Sequence, residues 1–471
     1  MRIFFIVVIF IGLISCTPTS TRDYSFIEGS ALTVTVEKQD NGLWLAHYVF
    51  AEPQTAMILS RSRNDYRTQS WKSLDPNASF ERINGFDAFL FENPTTNVSF
   101  EFKPYTGRIY QDYSPFIPFS DGGVAIYAGQ FEALSVTDRA AIEELQGDIY
   151  NWQGQQGQLA VRILSAAPMI ENGEIVTGEA LDISTGGGGY IYVGNAKITE
   201  GKDFTGVIDP GLPNWLRERF DDDLTLIFDG FRELWGASLA QKSTVLFSFR
   251  GYQGQGFSNK GGVFGSMLTL DMSGSALRTE DKGTLHATHW FFAHEAAHLF
   301  QGIGGLHPSP SHHAWISEGG ANALANHVLT HQNLVDEAYI VSDYSRKYAQ
   351  CTAYLQTGKL SNASAQGKFE VPYACGDIMA QITDGALQDH SLFDFWNAMP
   401  THAGDETGYS TDLYFDTMRI LGAPQSIILG LQKIAHEQLD DPATLLTELM
   451  EQSGLAPKFD NTGKLIALKL P

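Results

Sequence analysis

His294-Glu295-Ala296-Ala297-His298 is the segment whose residue types and spacing speak most directly to chemistry. It lies inside a run from about Thr284 to Gln301 that reads as a helix, ended by Gly302 and Gly304-Gly305. Two histidines four apart on a helix sit one turn apart on one face, so both imidazoles can reach one ion. Glu295 is rotated by about 100° from His294, close to such an ion without being forced to ligate it, as a general base should be. Catalytic zinc takes three protein ligands and keeps a further position for water, so two histidines leave the set one short. Glu318, in the segment Trp315-Ile316-Ser317-Glu318-Gly319-Gly320-Ala321-Asn322, can supply the third from the first turn of a helix beginning near Ser317. The plainer reading of Glu318 is a first-turn glutamate favoured by the helix dipole. Asn322, one turn later, is placed to hydrogen-bond the far nitrogen of a ligand imidazole. The expected cofactor is one zinc ion per chain, held by His294, His298 and Glu318, with Glu295 as the base. His286 and His289 on the same helix, and His307, His312 and His313 in the loop beside Pro308 and Pro310, are not expected to be ligands.

These segments are followed by Val371-Pro372-Tyr373-Ala374-Cys375-Gly376 ahead of a further helix. Together the three resemble the gluzincin metallopeptidases, in particular the aminopeptidase-N-like branch and its glycyl-aminopeptidase relatives. The resemblance covers roughly residues 190–399. It implies a thermolysin-like zinc peptidase domain, hydrolysis of peptide bonds, a peptide or protein substrate, and a role for the Tyr373 hydroxyl in stabilising the oxyanion. The bland reading of Tyr373 is a half-buried tyrosine at a helix entry. Aminopeptidases of this group carry a G-x-M-E-N-like segment on a strand lining the cleft, and its glutamate holds the free α-amine of the substrate. Here the stretch is Gly261-Gly262-Val263-Phe264-Gly265-Ser266, with Phe264 where that glutamate would fall. An ammonium facing phenylalanine loses its ion pair, and a cation–π contact replaces only part of it. Zinc hydrolysis therefore survives the comparison better than aminopeptidase specificity, and Gly262, Val263, Phe264 and Gly265 are expected to meet the substrate through strand pairing. The missing amine anchor also raises a rival from another class, a non-catalytic cell-surface binding lipoprotein derived from a peptidase fold.

The elements that must position these residues follow from patterning. Residues 25–183 show short β-rich runs such as Ala31–Glu37, Leu43–Phe50 and Val124–Tyr127, broken by Asp40-Asn41-Gly42, Asn84-Gly85 and Asp121-Gly122-Gly123. From Trp215 to Trp235, apolar residues recur at three and four, a long amphipathic helix in which Asp221-Asp222-Asp223 reads as a solvated face. Thr244–Phe249 and Gly261–Leu270 read as strands, and nearly everything beyond Gly376 reads as helical. The expected architecture is α+β and multidomain: a β-sandwich-like N-terminal domain, then the peptidase domain, made of a mixed α+β lobe and an all-α lobe. Expected boundaries are a leader at 1–16, the β-rich domain at 17–189, the zinc-binding lobe at 190–340 and the helical lobe at 341–471.

The chain has 471 residues, with 31 basic against 54 acidic side chains and a net charge of −23. A surface that negative repels phosphate backbones, which excludes nucleic acid as an expected partner. Residues 1–15 combine one Arg with an apolar run too short to span a bilayer, the pattern of a secretory leader. Leu13-Ile14-Ser15-Cys16 resembles the bacterial lipobox, which implies lipidation at Cys16 and an exported lipoprotein of the cell envelope, on the periplasmic or surface face of the outer membrane. Its only expected membrane contact is that lipid anchor. Of the three cysteines, Cys351 and Cys375 remain beyond the leader. In an oxidising compartment they are either bridged, closing a loop of about 25 residues, or two buried thiols.

Overall fold

The computed structural model describes residues 24–109, 112–307 and 311–470. Cys16 and the leader fall outside them, as do Pro308 and Pro310. Among the described residues no helix is long and apolar enough to cross a membrane.

The β-rich N-terminal domain forms one sheet of 11 strands. It is continuous because two long strands, Trp44–Leu59 and Phe86–Phe102, pair with each other along both of their ends, with register shifts between Val49 and Ala56. Leu32–Lys38 lies between Trp44–Leu59 (antiparallel) and Leu159–Glu171 (parallel). The inward residues of these strands, including Val34, Val36, Tyr48, Phe100 and Val161, form a single core. Tyr190–Val193 pairs with Val124–Tyr127 and Leu159–Glu171. The first sheet therefore reaches Val193, beyond the boundary expected at 189, because this apolar run of four is inserted between Leu159–Glu171 and Val124–Tyr127. The boundary expected at 340 falls inside a helix, Glu337–Leu355.

A second sheet of five strands follows. Its order places Ile198–Glu200 at one edge, then Phe204–Ile208, Ser243–Phe249 and Met267–Ser273, with Ser258–Phe264 at the other edge. The single strand expected over Gly261–Leu270 is instead the hairpin Ser258–Phe264 and Met267–Ser273, in which Phe264 pairs with Met267. The reversal sits at Gly265, whose φ of +57° suits a residue without a Cβ. The amphipathic helix Asn214–Trp235 packs through Leu216, Phe220, Ile227 and Phe231 into the same core as Phe292, Ala296 and Phe300. Asp223 also faces inward, buried, with its Oδ2 2.7 Å from His289 Nε2, so only part of the Asp221–Asp223 run is a solvated face.

The two sheets meet through Ile117, Phe119, Tyr127, Tyr190, Val207 and Met267, with Phe264 packed against them. The C-terminal part is helical, from Glu337–Leu355 and Glu370–Ala386 through Pro442–Gln452, closed by the short pair Lys458–Phe459 and Leu465–Ala467. Cys351 and Cys375 are bridged and join the first two of these helices.

Candidate metal centre and active site

Three helices build the site. The first, Lys282–Gln301, begins at Asp281, whose carboxylate accepts from the Thr284 N–H at 2.6 Å. Phe292, Ala293, Ala296, Ala297 and Phe300 anchor it in the core, which leaves His294 and His298 on the remaining face. The second, Ala314–His331, carries Glu318 in its second turn. The third, Glu370–Ala386, contains Tyr373 in its first turn, so Val371–Gly376 begins the helix instead of preceding it. Proline is tolerated at Pro372 because a first-turn N–H has no intrahelical partner to lose.

The second and third helices approach unusually closely at two glycines. A Cβ on Gly319 would overlap the backbone of Gly376, and a Cβ on Gly376 would overlap the carbonyl of Trp315. Gly319 follows Glu318 directly, and Gly376 lies three residues past Tyr373. The bare crossing thus brings the carboxylate and the phenol together. Behind it, Lys347 on Glu337–Leu355 is buried between Asp343 and Asp377, and the Tyr344 hydroxyl donates to Asp377 Oδ1 at 2.8 Å.

His294 Nε2, His298 Nε2 and Glu318 Oε2 converge. The separations are 3.2 Å between the two nitrogens, 3.2 Å from His298 to Glu318 and 3.3 Å from His294 to Glu318. Tetrahedral zinc with bonds near 2.0–2.1 Å separates its ligand atoms by about 3.3–3.4 Å, so the triangle has the size that ion requires. Among the described residues this is the one group of three or more metal-ligating side chains so gathered. Glu318 is held well below the usual carboxylate range: burial alone would raise it, but the hydrogen bonds and charges of His294 and His298 outweigh burial. His298 is raised, since the bond and charge of Glu318 overcome the effect of burial.

The support for His298 comes from Gln301, a residue the sequence reading passed over. Gln301 Oε1 lies 2.9 Å from His298 Nδ1, and its Nε2 donates to the Ser317 carbonyl at 3.0 Å. That acceptor keeps a proton on Nδ1 and turns the Nε2 lone pair into the cluster. Asn322 was expected to do this and does not. Its Nδ2 donates to the Tyr373 carbonyl at 3.2 Å, because a residue one turn past Glu318 faces the crossing helix. His294 Nδ1 is buried without a partner among the described residues, and its ring stacks on Trp290 and Tyr373.

Glu295 reaches the edge strand, where its Oε2 accepts the Val263 N–H at 2.9 Å. Tyr373 is pushed above the ordinary phenol range by burial, then by the charge of Glu318 and the hydrogen bond to it, and by Glu295. Its hydroxyl therefore stays protonated and available as a donor. Gly262 and Val263 flank Glu295, Gly265 forms the turn, and Phe264 swings away to pack edge-on against Tyr113 with ring centroids 4.5 Å apart. His286 packs on Tyr339, His289 bonds Asp223, His307 bridges to Gly408 and His312 packs tilted against His313; none joins the cluster.

Two cavities flank the site. One of about 460 Å³ runs along Gly261–Phe264, and one of about 310 Å³ lies between Trp290, Asn322 and Tyr373. Larger cavities of about 830 and 900 Å³ are lined by none of the cluster residues.

No protein-family model and no curated protein sequence matches the chain. Solved structures do match. A crystal structure of an aminopeptidase N family protein from Idiomarina loihiensis superposes with a TM-score of 0.59 at 13% identity, over 91% of this chain and 80% of that one. Native yeast LTA4 hydrolase gives 0.47 at 12% identity, over 90% and 71%, and an M1 zinc metallopeptidase from Deinococcus radiodurans 0.44 at 12%, over 87% and 94%. In fold, the chain is a mixed α+β multidomain protein like the aminopeptidase N family protein from Idiomarina loihiensis, β-rich at its N-terminus and helical at its C-terminus.

Proposed function

We propose that this chain is a zinc-dependent peptidase of gluzincin type. The observation that carries the reading is the triangle of His294, His298 and Glu318, with Glu295 and Tyr373 at its rim. Those three side chains would hold the ion, which when bound acidifies a water molecule and polarises the scissile carbonyl. Glu295, steadied by the Val263 N–H, takes the proton of the attacking water and passes it to the leaving amine. Tyr373, kept protonated, donates to the oxyanion as negative charge develops there. The edge strand Ser258–Phe264 aligns an extended substrate by backbone pairing. Phe264, turned onto Tyr113, supplies no counter-charge for an α-amine, so cleavage within a peptide is favoured over removal of its first residue.

Glu295→Gln tests the assignment. The variant should keep its zinc, measured by elemental analysis, and lose hydrolysis of a defined peptide mixture read by mass spectrometry. Normal turnover by that variant would show the base to be wrong. Zinc binding with no cleavage of any peptide by the unaltered chain would favour the binding-lipoprotein alternative, to which Phe264 also lends support. Blocking the N-terminus of a good substrate separates the two modes of cleavage. We further infer export and lipidation at Cys16. Cys16→Ser should abolish incorporation of labelled fatty acid and move the protein from the membrane to the soluble fraction.

A further inference from the structure

The cavity along Gly261–Phe264 presents two cations, Arg61 and Lys260, in an otherwise acidic protein. The chain carries −23 overall. Around the cavity stand Arg61 and Arg108 from the β-rich domain, Lys260 from the edge strand and Arg250 from just past the end of Ser243–Phe249, with the carboxylates Asp112 and Asp271 among them. Asp271 is shared by Arg108 and Arg250. Asp112 holds Arg61 through one contact, Nη1 to Oδ1 at 2.6 Å, and the same oxygen accepts the Tyr113 N–H at 2.8 Å. The guanidinium lies 5.2 Å from the centroids of both Tyr113 and Tyr127. Its Nε and Nη2 have no hydrogen-bond partner among the described residues. Lys260 Nζ donates only to carbonyls, of Ile109 at 3.0 Å and Asp112 at 3.4 Å. Arg108 and Arg250 stand outside the cavity lining and take up the charge of Asp271, so Arg61 and Lys260 face the cavity with Asp112 as the remaining carboxylate.

Arg61, Lys260 and Phe264 line this cavity together with Gly262 and Val263, and Val263 bonds Glu295. An extended chain reacting beside Glu295 would present a neighbouring residue to it. We propose that the cavity is a substrate subsite for a carboxylate, a side-chain or C-terminal one belonging to a residue that flanks the scissile bond, with Arg61 and Lys260 as its charge partners. A guanidinium with unused donors and an ammonium satisfied only by carbonyls are what a carboxylate pairs with most strongly. The Phe264 and Tyr113 rings form an apolar part of the wall. Burial, and then the charge of Arg108, lower the pKa of Lys260, and an anion beside its ammonium offsets both. A cationic substrate residue would meet Arg61 and Lys260 as repulsion.

The inference rests on the peptidase reading for the location of the bond that reacts, so its test includes binding. Acetylated, C-terminally amidated peptides would be scanned with Glu, Gln or Lys at each position on both sides of the cleaved bond, and parallel peptides would end in a free acid or an amide. The full chain should cleave the Glu form at one position with kcat/KM at least about tenfold above the Lys form, the size of a charge-assisted hydrogen bond. Preference for Glu over Gln identifies a side-chain carboxylate; preference for the free acid over the amide identifies the C-terminal one. Labelled peptides bound to the Glu295→Gln chain should rank in the same order by fluorescence anisotropy. Lys260→Glu should erase or reverse the ranking, and Lys260→Gln should reduce it if the first variant fails to fold by circular dichroism. Preferential binding of the Glu or free-acid peptide without cleavage of any peptide would sink the peptidase reading and leave the subsite standing. Binding of all the peptide forms within twofold of one another, or a ranking untouched by both Lys260 variants, would overturn the subsite.

Discussion

Replacing Gln301 by alanine removes two hydrogen bonds at once, and the structure says what each is for. One fixes the His298 imidazole through Nδ1, and the other holds the Ser317 carbonyl, adjacent to Glu318. Gln301 is almost fully buried, at 3% exposure, so water does not simply take over its contacts. A typical intramolecular hydrogen bond is worth about 0.5–1.5 kcal/mol net, and leaving a buried partner unsatisfied costs about 1–3 kcal/mol. The Ser317 arm is present with or without metal and is expected to appear mainly as lost fold stability. The His298 arm acts on the ligand itself, and losing such support typically weakens metal affinity by about 10- to 100-fold. The assay is competition for zinc against a chromogenic chelator, paired with a denaturant melt of the metal-free protein. Gln301→Glu keeps an acceptor for Nδ1 while turning a carboxylate towards the Ser317 carbonyl. It should bind zinc close to normally and melt earlier, whereas Gln301→Ala should fail on both counts. If Gln301→Ala bound zinc within twofold of the unaltered chain, the residue would be a packing element and the account of His298 would be wrong.

Tyr373→Phe should keep zinc while kcat falls by about 10²- to 10³-fold, the usual effect of removing one oxyanion donor; unchanged kcat would remove the phenol from the mechanism. Gly376→Ala places a methyl on the Trp315 carbonyl, where overpacking costs about 1–3 kcal/mol. Its melting temperature should drop, and hydrolysis should fall because Tyr373 is displaced from Glu318. Reducing the Cys351–Cys375 bridge, or changing both cysteines to serine, should destabilise the fold by about 3.5 kcal/mol on the chain-entropy estimate for a sequence separation of 24. Denaturant titration with and without reductant measures this, and identical midpoints would contradict the bridge.

What could be read directly from the sequence is local. His294 and His298 share a helix face by spacing alone, and Glu295 sits beside them for the same reason. Tyr373 needed the resemblance, because nothing in Val371–Gly376 says which distant helix it will cross. Gln301 carried a signal that went unused. It lies three residues past His298, on the same face, as a polar group following the apolar pair Leu299-Phe300. Asp223 carried one as well, since its spacing from Leu216, Phe220 and Ile227 follows the apolar stripe and not the solvated face. The hairpin was hidden because apolar residues continue across Gly265, and only its positive φ reverses the chain. The direction of the Phe264 ring could not be read at all, since Tyr113 and Tyr127 reach it from the β-rich domain.

That last point separates the two tasks of the site. The proposed chemistry stands on helices locked to one another by the Gly319–Gly376 crossing, the Cys351–Cys375 bridge and the buried Lys347 between Asp343 and Asp377. These contacts lie within the C-terminal part of the fold and fix Glu318 against Tyr373 whatever the β-rich domain does. Recognition stands elsewhere. Lys260 and Phe264 come from the hairpin, while Arg61, Tyr113 and Tyr127 come from the β-rich domain, and the carboxylate subsite exists only where the two sheets meet. A substitution in the β-rich domain such as Arg61→Ala should therefore change which peptide is cut far more than the rate at which an uncharged peptide is cut. A substitution at the helix crossing should slow every peptide alike.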